Sequence, residues 1–182
     1  MYGFTQRSPG VTGRMRSEIG TATKSRLTFA IEIENDLATG KTVQDLIFHV
    51  VRDRLGMAQE FLGVADALLA LGQRRREQMP LRSAVSRYYY AMFQAARGVV
   101  FLDHGGDDKN AHSELPKSLP QKFPRRAYHL NELKDARVSR NDADYDPYPN
   151  DVAHWLTAAR SQKNAAIEFI DDCTSYLRAL GI

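Results

Sequence analysis

The residues best suited to chemistry lie together in the segment 137–145, whose sequence is RVSRNDADY. Arg137 and Arg140 supply guanidinium groups, which stay charged and can bind two phosphate oxygens at once. Asn141, Asp144 and Tyr145 add an amide, a carboxylate and a phenol, which can position a substrate or move a proton. The alternative is a charged helix end, where arginines complement the helix dipole. The residue types alone leave both interpretations open.

A second segment, SRYYYAMFQAAR at residues 86–97, combines three consecutive tyrosines with two arginines. Aromatic side chains at helical spacing usually pack into a core, and we expect this for most of them. Arg87 and Arg97 must extend to solvent, pair with an acid or face a ligand, because a guanidinium is not buried without a partner. Arg87 is therefore a candidate phosphate-binding residue, together with Arg137.

Four further cations, Lys117, Lys122, Arg125 and Arg126, lie in a stretch without any acidic residue. Such a cluster is either a solvated helix end or a surface that faces phosphate. We include all four among the candidate phosphate-binding residues.

Metal and nucleophile chemistry have little support in the sequence. The alternating aspartates of residues 142–146 resemble the start of a calcium-binding loop, but Pro147 and Ala153 occupy the places of its required glycine and glutamate. The five histidines form no HExxH or HxxxH pair. The single cysteine, Cys173, lies on an apolar helix stripe, where a thiol is ordinarily inert. We therefore predict no metal, no cofactor and no covalent nucleophile.

The composition is that of one globular domain rather than two. The chain has 182 residues, 43% of them hydrophobic, and a net charge of +3. This mild basicity does not by itself indicate nucleic-acid binding. The apolar runs fall short of the ~20 residues that a membrane span needs, and the N-terminal residues do not resemble a secretory signal. We expect a soluble, cytoplasmic protein with no membrane contact.

Apolar residues recur at helical spacing from residue 43 onward. The pattern predicts a bundle domain at residues 43–182 with Asn150 or Asp151 as the N-cap of its last helix. The long helices are expected at about 43–73, 80–102, 126–139 and 152–180, with one helical turn within 111–119. Long helices joined by short loops predict an all-α, up-and-down bundle of four to five helices.

Residues 1–42 lack this periodicity, and we predict a less regular N-terminal arm there. Within residues 27–33, apolar side chains alternate with other residues, which is the period of a β-strand. Leu27, Ala30 and Ile31 also share a helical face, so a short helix fits the same residues.

The order of these features resembles a known family. A long helix is followed by one with SRYYYAMFQAA, then by Ala111, His112 and Ser113, and finally by R-x-x-A-D-Y at residues 140–145. This order resembles the HEPN domain (higher eukaryotes and prokaryotes nucleotide-binding), in its small prokaryotic branch. The resemblance covers about three quarters of the chain, residues 43–180, and leaves the arm outside.

The resemblance implies a helical bundle that forms homodimers and, in many members, cleaves RNA without a metal. Such members are often toxins paired with a small nucleotidyltransferase antitoxin. Their motif is an arginine, a polar residue, three further residues and a histidine. Arg140 and Asn141 fit the first two places, and Tyr145 stands in place of the histidine. The family's modified tyrosine would fall at Pro147, with Tyr148 one residue later.

The change from histidine to tyrosine matters for the chemistry. Cleavage through the 2′-hydroxyl needs a group that removes a proton and a cation that stabilises the phosphate. Histidine suits the first task because it titrates near working pH, whereas tyrosine titrates near pH 10. We expect Arg140 to bind phosphate, Tyr145 to act as a hydrogen-bond donor, and Asp144 to be the alternative base.

The sequence therefore predicts a protein that binds RNA or a nucleotide, with candidate catalytic residues Arg140, Asn141, Asp144 and Tyr145. The most specific version of this predicted function is a metal-independent endoribonuclease of a toxin–antitoxin system. The alternative is a non-catalytic module that docks a nucleotidyltransferase-like partner. A third interpretation is a helical adaptor in which Arg140 only pairs with a neighbouring aspartate.

We also predict a homodimer through the second helix and the end of the third. The second helix has aromatic residues around more of its axis than one neighbouring helix covers, and excess apolar surface requires a partner. These residues are Tyr88, Tyr89, Tyr90, Phe93 and Phe101.

Overall fold

The computed structural model describes residues 24–40, 42–104 and 112–182, and within them every regular element is helical. The elements are α1 (Lys24–Leu37), α2 (Val43–Arg75), α3 (Gln78–His104), a 3₁₀ turn (Leu115–Ser118), α4 (Arg126–Tyr145) and α5 (Val152–Ala179). The all-α prediction is therefore confirmed for the described residues. Most of the predicted arm, residues 1–23, lies outside them.

The described residues fall into two compact units, with the division between Leu46 and Ile47. In the first, the segment with alternating apolar residues is part of the helix α1 rather than a strand. Phe29 and Ile31 on this helix are exposed, at 61% and 58% of their surface. The period-two pattern therefore did not indicate a strand, since an isolated strand without partners is not stable.

α3 is the central helix of the larger unit and packs against both α4 and α5. Buried side chains occur on nearly every side of α3, including Leu81, Val85, Tyr88, Met92 and Val99. α2 joins the same core through Val51, Ala58 and Ala65, all with no exposed surface. At the α2–α3 junction, Gly72 is required because a Cβ there would lie 2.6 Å from Leu81 Cγ.

The aromatic residues of α3 are covered within one chain. Tyr88, Tyr89 and Phe93 are buried, and Tyr90 and Phe101 are partly buried against the core. The premise that one copy leaves this helix with excess aromatic surface is therefore wrong, because several elements surround α3 rather than one. The homodimer stays a prediction. The exposed large apolar side chains of the bundle include Val50, Met57 and Val64 of α2 instead.

Part of α2, Ile47–Arg75, is long and apolar enough to cross a membrane, judged by length and composition alone. The expectation from sequence missed this because charged residues interrupt the apolar run. Core helices of soluble proteins, which are mostly buried, pass the same test, whereas 22% of the tested stretch of this helix is buried. The finding is weak evidence for a membrane span, and the cytoplasmic location stays a prediction.

α4 ends at Tyr145, six residues beyond the predicted end at residue 139. The reason lies in Arg82 of α3, a buried guanidinium that contacts the last turn of α4. It donates hydrogen bonds to the carbonyl oxygens of Ala143 at 2.9 Å, Asp142 at 3.1 Å and Asp146. A cation at the C-terminal end of a helix satisfies carbonyls that have no intrahelical donor. The whole segment 140–145 is therefore helical.

The remaining helix ends follow the sequence closely. Asp151 caps α5 as predicted, and its carboxylate accepts a hydrogen bond from Ala153 N at 2.9 Å. α3 begins at Gln78, so Pro80 lies at its third residue rather than its first. Proline is tolerated there because the first N–H groups of a helix have no intrahelical acceptor.

Candidate functional site

Arg140 lies on the inner face of α4, as its spacing of seven residues from Leu133 predicts, and its side chain is 19% exposed. Its Nη2 donates to Tyr90 Oη at 2.5 Å, and its Nη1 donates to Asn141 Oδ1 at 2.9 Å. Burial lowers the pKa of Arg140, but the hydrogen bond to Tyr90 and the charge of Asp144 raise it overall. The guanidinium is therefore a permanent cation in a fixed position.

Two phenol rings lie on either flank of this guanidinium. Arg140 Cζ is 5.3 Å from the ring centre of Tyr90 and 5.5 Å from that of Tyr145. Such cation–π contacts hold a guanidinium in place without neutralising it. Tyr145 is itself 73% exposed, so one face of the cluster opens to solvent. The ring of Tyr145 therefore lies beside Arg140, at the position where the family motif has histidine.

Asp144 is the acid of this cluster, and both of its carboxylate oxygens are occupied. Oδ1 accepts a hydrogen bond from Ser86 Oγ, and Oδ2 forms an ion pair with Arg140 Nε at 3.0 Å. The ion pair is poorly aligned, so the buried Nε–H of Arg140 lacks a hydrogen-bond acceptor within the described structure. Asp144 therefore orients Arg140, and its carboxylate occupies the space beside the buried Nε–H.

Two more arginines lie near this guanidinium, Arg87 beside Tyr90 and Arg137 near Tyr89. Arg87 Cζ is 5.7 Å from the ring centre of Tyr90, on α3, and the charge of Arg137 acts on Tyr89. Neither Arg87 nor Arg137 forms an ion pair among residues 24–40, 42–104 and 112–182. We call Arg87, Arg137, Arg140, Tyr90 and Tyr145 the arginine–tyrosine cluster. The three arginines of this cluster outnumber the one carboxylate that pairs with it, that of Asp144.

His112 reaches the edge of this cluster from the turn before the 3₁₀ helix. Its ring stacks on Phe93 with centroids 4.1 Å apart, and its Nδ1 is 2.6 Å from Tyr89 Oη. Burial lowers the pKa of His112, and the charges of Arg140, Arg137 and Arg97 lower it further. Burial also raises the pKa of Tyr89 to about 12. His112 is therefore a neutral imidazole at pH 7, hydrogen-bonded to a neutral phenol.

No spacing rule predicts that His112 lies near Arg140, from which it is separated by 28 residues. Its one signal was its position in the order of features that resembles the HEPN domain. The motif spacing of that family instead places the catalytic histidine at the position of Tyr145.

The other predicted phosphate-binding residues lie at the opposite end of α4. Lys117 pairs with Glu114 at 2.8 Å, and Arg126 donates to the backbone oxygens of Lys117 and Leu119. Lys122 is exposed and has no ion pair in the described part of the chain. Fourteen residues of helix place this end about 21 Å from Arg140. The structure therefore does not bring the two predicted groups of cations together.

Arg125 belongs to a closed network that sequence reasoning missed. It pairs with Glu168 and, at 2.7 Å, with Asp172, while the buried His129 lies 2.7 Å from the same Asp172. Partial burial raises the pKa of Asp172, but hydrogen bonds from His129 and Arg125 lower it overall. Arg125 and Tyr128 lower the pKa of Glu168. We call Arg125, Tyr128, His129, Glu168 and Asp172 the paired cluster.

Within the described residues, no group of three or more His, Cys, Asp or Glu side chains is arranged to hold a metal ion. Cys173 is fully buried, as its position on the apolar stripe predicts, and burial raises the pKa of its thiol. The arginine–tyrosine cluster presents donors and rings, which suit an anion rather than a cation. It can bind phosphate groups and stack aromatic bases.

Comparison of the chain with models of protein families and with curated proteins finds no match. The resemblance to the HEPN domain therefore depends on the motif residues themselves. The activity and partners that the resemblance implies are therefore judged from the chemistry of the arginine–tyrosine cluster and the paired cluster.

Proposed function

We propose that the chain is a HEPN-type helical protein of the cytoplasm that binds RNA or a nucleotide at the arginine–tyrosine cluster. In its sharpest form it is a metal-independent endoribonuclease of a toxin–antitoxin system, active as a homodimer. One observation carries the proposal: the charged guanidinium of Arg140 is held beside the rings of Tyr90 and Tyr145, and Tyr145 is 73% exposed to solvent.

Phosphate binding follows from the charge balance of the cluster. Arg140 pairs with Asp144, while Arg87 and Arg137 form no ion pair in the described part of the chain. The arginines of the cluster therefore outnumber the carboxylate that pairs with them, although Asp142 and Asp146 line the surface beside Tyr145. Guanidinium groups donate two parallel hydrogen bonds to phosphate oxygens, and each is a permanent charge. A phosphate that approaches Arg137 and Arg140 can accept hydrogen bonds from the terminal Nη groups of the two guanidiniums.

The exposed phenols favour a nucleotide over a simple anion. Tyr145 and Tyr148 are 73% and 72% exposed and lie three residues apart, on either side of Pro147. Bases stack on such rings for about 1–3 kcal/mol each, with little dependence on sequence. Stacking beside an arginine cluster is typical of single-stranded RNA recognition. We therefore expect single-stranded RNA to bind better than duplex.

The test measures binding of a labelled single-stranded RNA by fluorescence anisotropy, at several salt concentrations and in EDTA. Arg140→Ala should weaken binding about tenfold and reduce the salt dependence by about one unit of slope. Arg125→Ala is the matched control, because its guanidinium is already neutralised by two carboxylates and should leave affinity unchanged. Wild-type protein without RNA affinity at low salt would overturn the proposal.

A second candidate function is the non-catalytic module that docks a nucleotidyltransferase-like partner. The observation in its favour is that Arg140 already has partners in Tyr90, Asn141 and Asp144. In that case Arg140→Ala should lower the free energy of unfolding by about 1 kcal/mol and affect no RNA binding. Urea denaturation of the same two variants separates the two functions.

A further inference from the structure

We propose, on the basis of the ribonuclease function above, that His112 is the general base that removes the 2′-hydroxyl proton of the bound RNA. The family motif places a histidine at the position of Tyr145, where this chain has none. The fold instead brings an imidazole to the arginine–tyrosine cluster from a different element, the turn that precedes the 3₁₀ helix.

The imidazole of His112 is held by two contacts on α3. Phe93 stacks on its ring with an interplanar angle of 20°, and Tyr89 Oη hydrogen-bonds to Nδ1 at 2.6 Å. Nε2 has no partner among the described residues, and the side chain is exposed. A catalytic imidazole has this arrangement, with one nitrogen fixed by the protein and the other open to substrate.

The arginine–tyrosine cluster lies beside this ring. The ring centre of His112 is 6.4 Å from that of Tyr90, whose hydroxyl accepts the hydrogen bond from Arg140 Nη2. A phosphate on Arg140 and a base on His112 would therefore flank the same nucleotide. This juxtaposition of phosphate cation and imidazole is what cleavage through the 2′-hydroxyl requires.

The groups that face His112 keep it in the form that a base needs. Tyr89, Tyr90 and Arg97 approach it from α3, and Arg137 and Arg140 approach from α4. Burial and the three arginines lower the pKa of His112 below its ordinary value, so the ring is unprotonated at neutral pH. Burial raises the pKa of Tyr89 to about 12, so this phenol is neutral at that pH and does not oppose the effect.

The reaction balances without a metal or redox partner. In the reactive tautomer the His112 Nδ1–H donates to Tyr89 Oη, and Nε2 accepts the proton of the 2′-hydroxyl. The 2′-oxygen then bonds to phosphorus while the bond from phosphorus to the 5′-oxygen breaks. Arg140 stabilises the charge on the phosphate oxygens, and water protonates the leaving 5′-oxygen. The products are a 2′,3′-cyclic phosphate and a 5′-hydroxyl, and His112 returns its proton to solvent.

The decisive experiment compares cleavage of single-stranded RNA in EDTA by wild type and by His112→Gln, across pH 5 to 8. We expect His112→Gln to lose activity by about 100-fold or more, with RNA affinity unchanged. The wild-type rate should fall as the pH drops through the pKa of His112, and this acidic limb should be missing in the variant. His49→Gln, at an exposed histidine of α2, is the matched control and should behave as wild type.

A measurement that does not depend on turnover uses wild-type protein and a 2′-O-methyl RNA, which binds but cannot react. The ring resonances of His112 should titrate below the ordinary pKa of histidine and shift when this RNA is added. This measurement keeps the proposal testable if His112→Gln does not fold.

The outcomes separate the base from the proposed function. If wild type and His112→Gln cleave equally with the same pH profile, His112 is not the base while the ribonuclease stands. If Tyr145→His raises the cleavage rate, and the fall of that rate at low pH is seen only in this variant, then the general base acts from position 145. The proposal for His112 is then wrong. If wild type binds RNA without cleaving it, the base is overturned and the binding function remains. If wild type does not bind RNA, both fall.

Discussion

Arginines lie at both ends of α4, but they are paired with carboxylates at one end and largely unpaired at the other. At the first turn, Arg125 pairs with Glu168 and Asp172, and the buried His129 lies 2.7 Å from the same Asp172. At the last turns, Arg140 pairs with Asp144, whereas Arg137 and the neighbouring Arg87 of α3 form no ion pair within the described residues. The paired cluster joins α4 to α5 and leaves little free charge. The arginine–tyrosine cluster keeps its charge and surrounds it with rings.

This difference shows that local density of basic residues is a poor guide to phosphate binding. The stretch from residue 117 to 126 is the more basic in sequence, yet Lys117 and Arg125 are both neutralised in the fold. The acids that neutralise Arg125 lie 43 and 47 residues away, in α5. What matters is the balance of charge in space, which the order of residues does not display.

The largest effect is expected for Arg82, a cation beside the arginine–tyrosine cluster that serves the fold. Its guanidinium donates to three carbonyl oxygens at the end of α4 and lies 4.4 Å from the ring of Trp155. Arg82→Ala should lower the free energy of unfolding by about 3 kcal/mol, since buried carbonyls then lose a charged donor. Urea denaturation followed by circular dichroism measures this.

Arg82→Lys should recover part of this loss, because one ammonium cannot reach all three carbonyls. Arg74→Ala, at an exposed position of α2, is the matched control and should stay within about 0.5 kcal/mol of wild type. Arg82→Ala with unchanged stability would mean that buried arginine does not hold the end of α4.

The next effect comes from removing the anions of the paired cluster. The double variant Glu168→Gln, Asp172→Asn frees Arg125 from both ion pairs without changing the size of either side chain. If unmatched charge is what makes a cluster bind RNA, the salt dependence of binding should steepen by about 0.9 units of slope. Anisotropy titrations at several salt concentrations measure this. An unchanged slope would show that the rings, rather than the charge balance, distinguish the two ends.

The paired cluster should also make the stability of the fold depend on pH, with a smaller effect than the two preceding ones. Because its hydrogen bonds outweigh its partial burial, Asp172 has a lowered pKa in the folded state. A carboxyl of this kind stabilises the fold above its unfolded pKa, and the stabilisation is lost as the pH falls through the folded value. The urea midpoint should therefore decrease below about pH 4. Asp172→Asn should show a smaller decrease, and an identical one would exclude Asp172 as its source.

The smallest effect is expected for Tyr145→Phe. The cation–π contact of Tyr145 with Arg140 uses the ring, which phenylalanine keeps. RNA affinity and cleavage should both stay within about twofold of wild type, whereas Tyr145→Ala should lose about 1–3 kcal/mol of stacking. Loss of cleavage in Tyr145→Phe would instead give the hydroxyl a role in the reaction.

The sequence predicted those features of the fold that depend on local periodicity. The four long helices of residues 43–182, the cap at Asp151 and the burial of Cys173 follow from spacing and residue type. The inward position of Arg140 follows from its distance to Leu133. These features depend on residues within a few turns of one another, which is the range that patterns of 3.6 residues describe.

The sequence could not predict the features that join distant segments. α4 extends to Tyr145 because Arg82, some 60 residues earlier, contacts its last carbonyls. His112 reaches Tyr89 from a turn that no periodic pattern positions. The segment 27–33 satisfies the periods of both strand and helix, so its structure depended on whether a partner strand exists. Each failure concerns a contact between elements rather than the element itself.

The contact between Arg82 and the end of α4 also determines how the segment 140–145 can be regulated. Helix ends usually fray, and many proteins switch a site on and off through such local opening at small free-energy cost. Here the last carbonyls are tied to the central helix, so they are released only when α3 and α4 separate. Amide hydrogen exchange at residues 143–146 should then be as slow as in the core. A partner that silences this segment would have to cover it, because melting it would unfold the bundle.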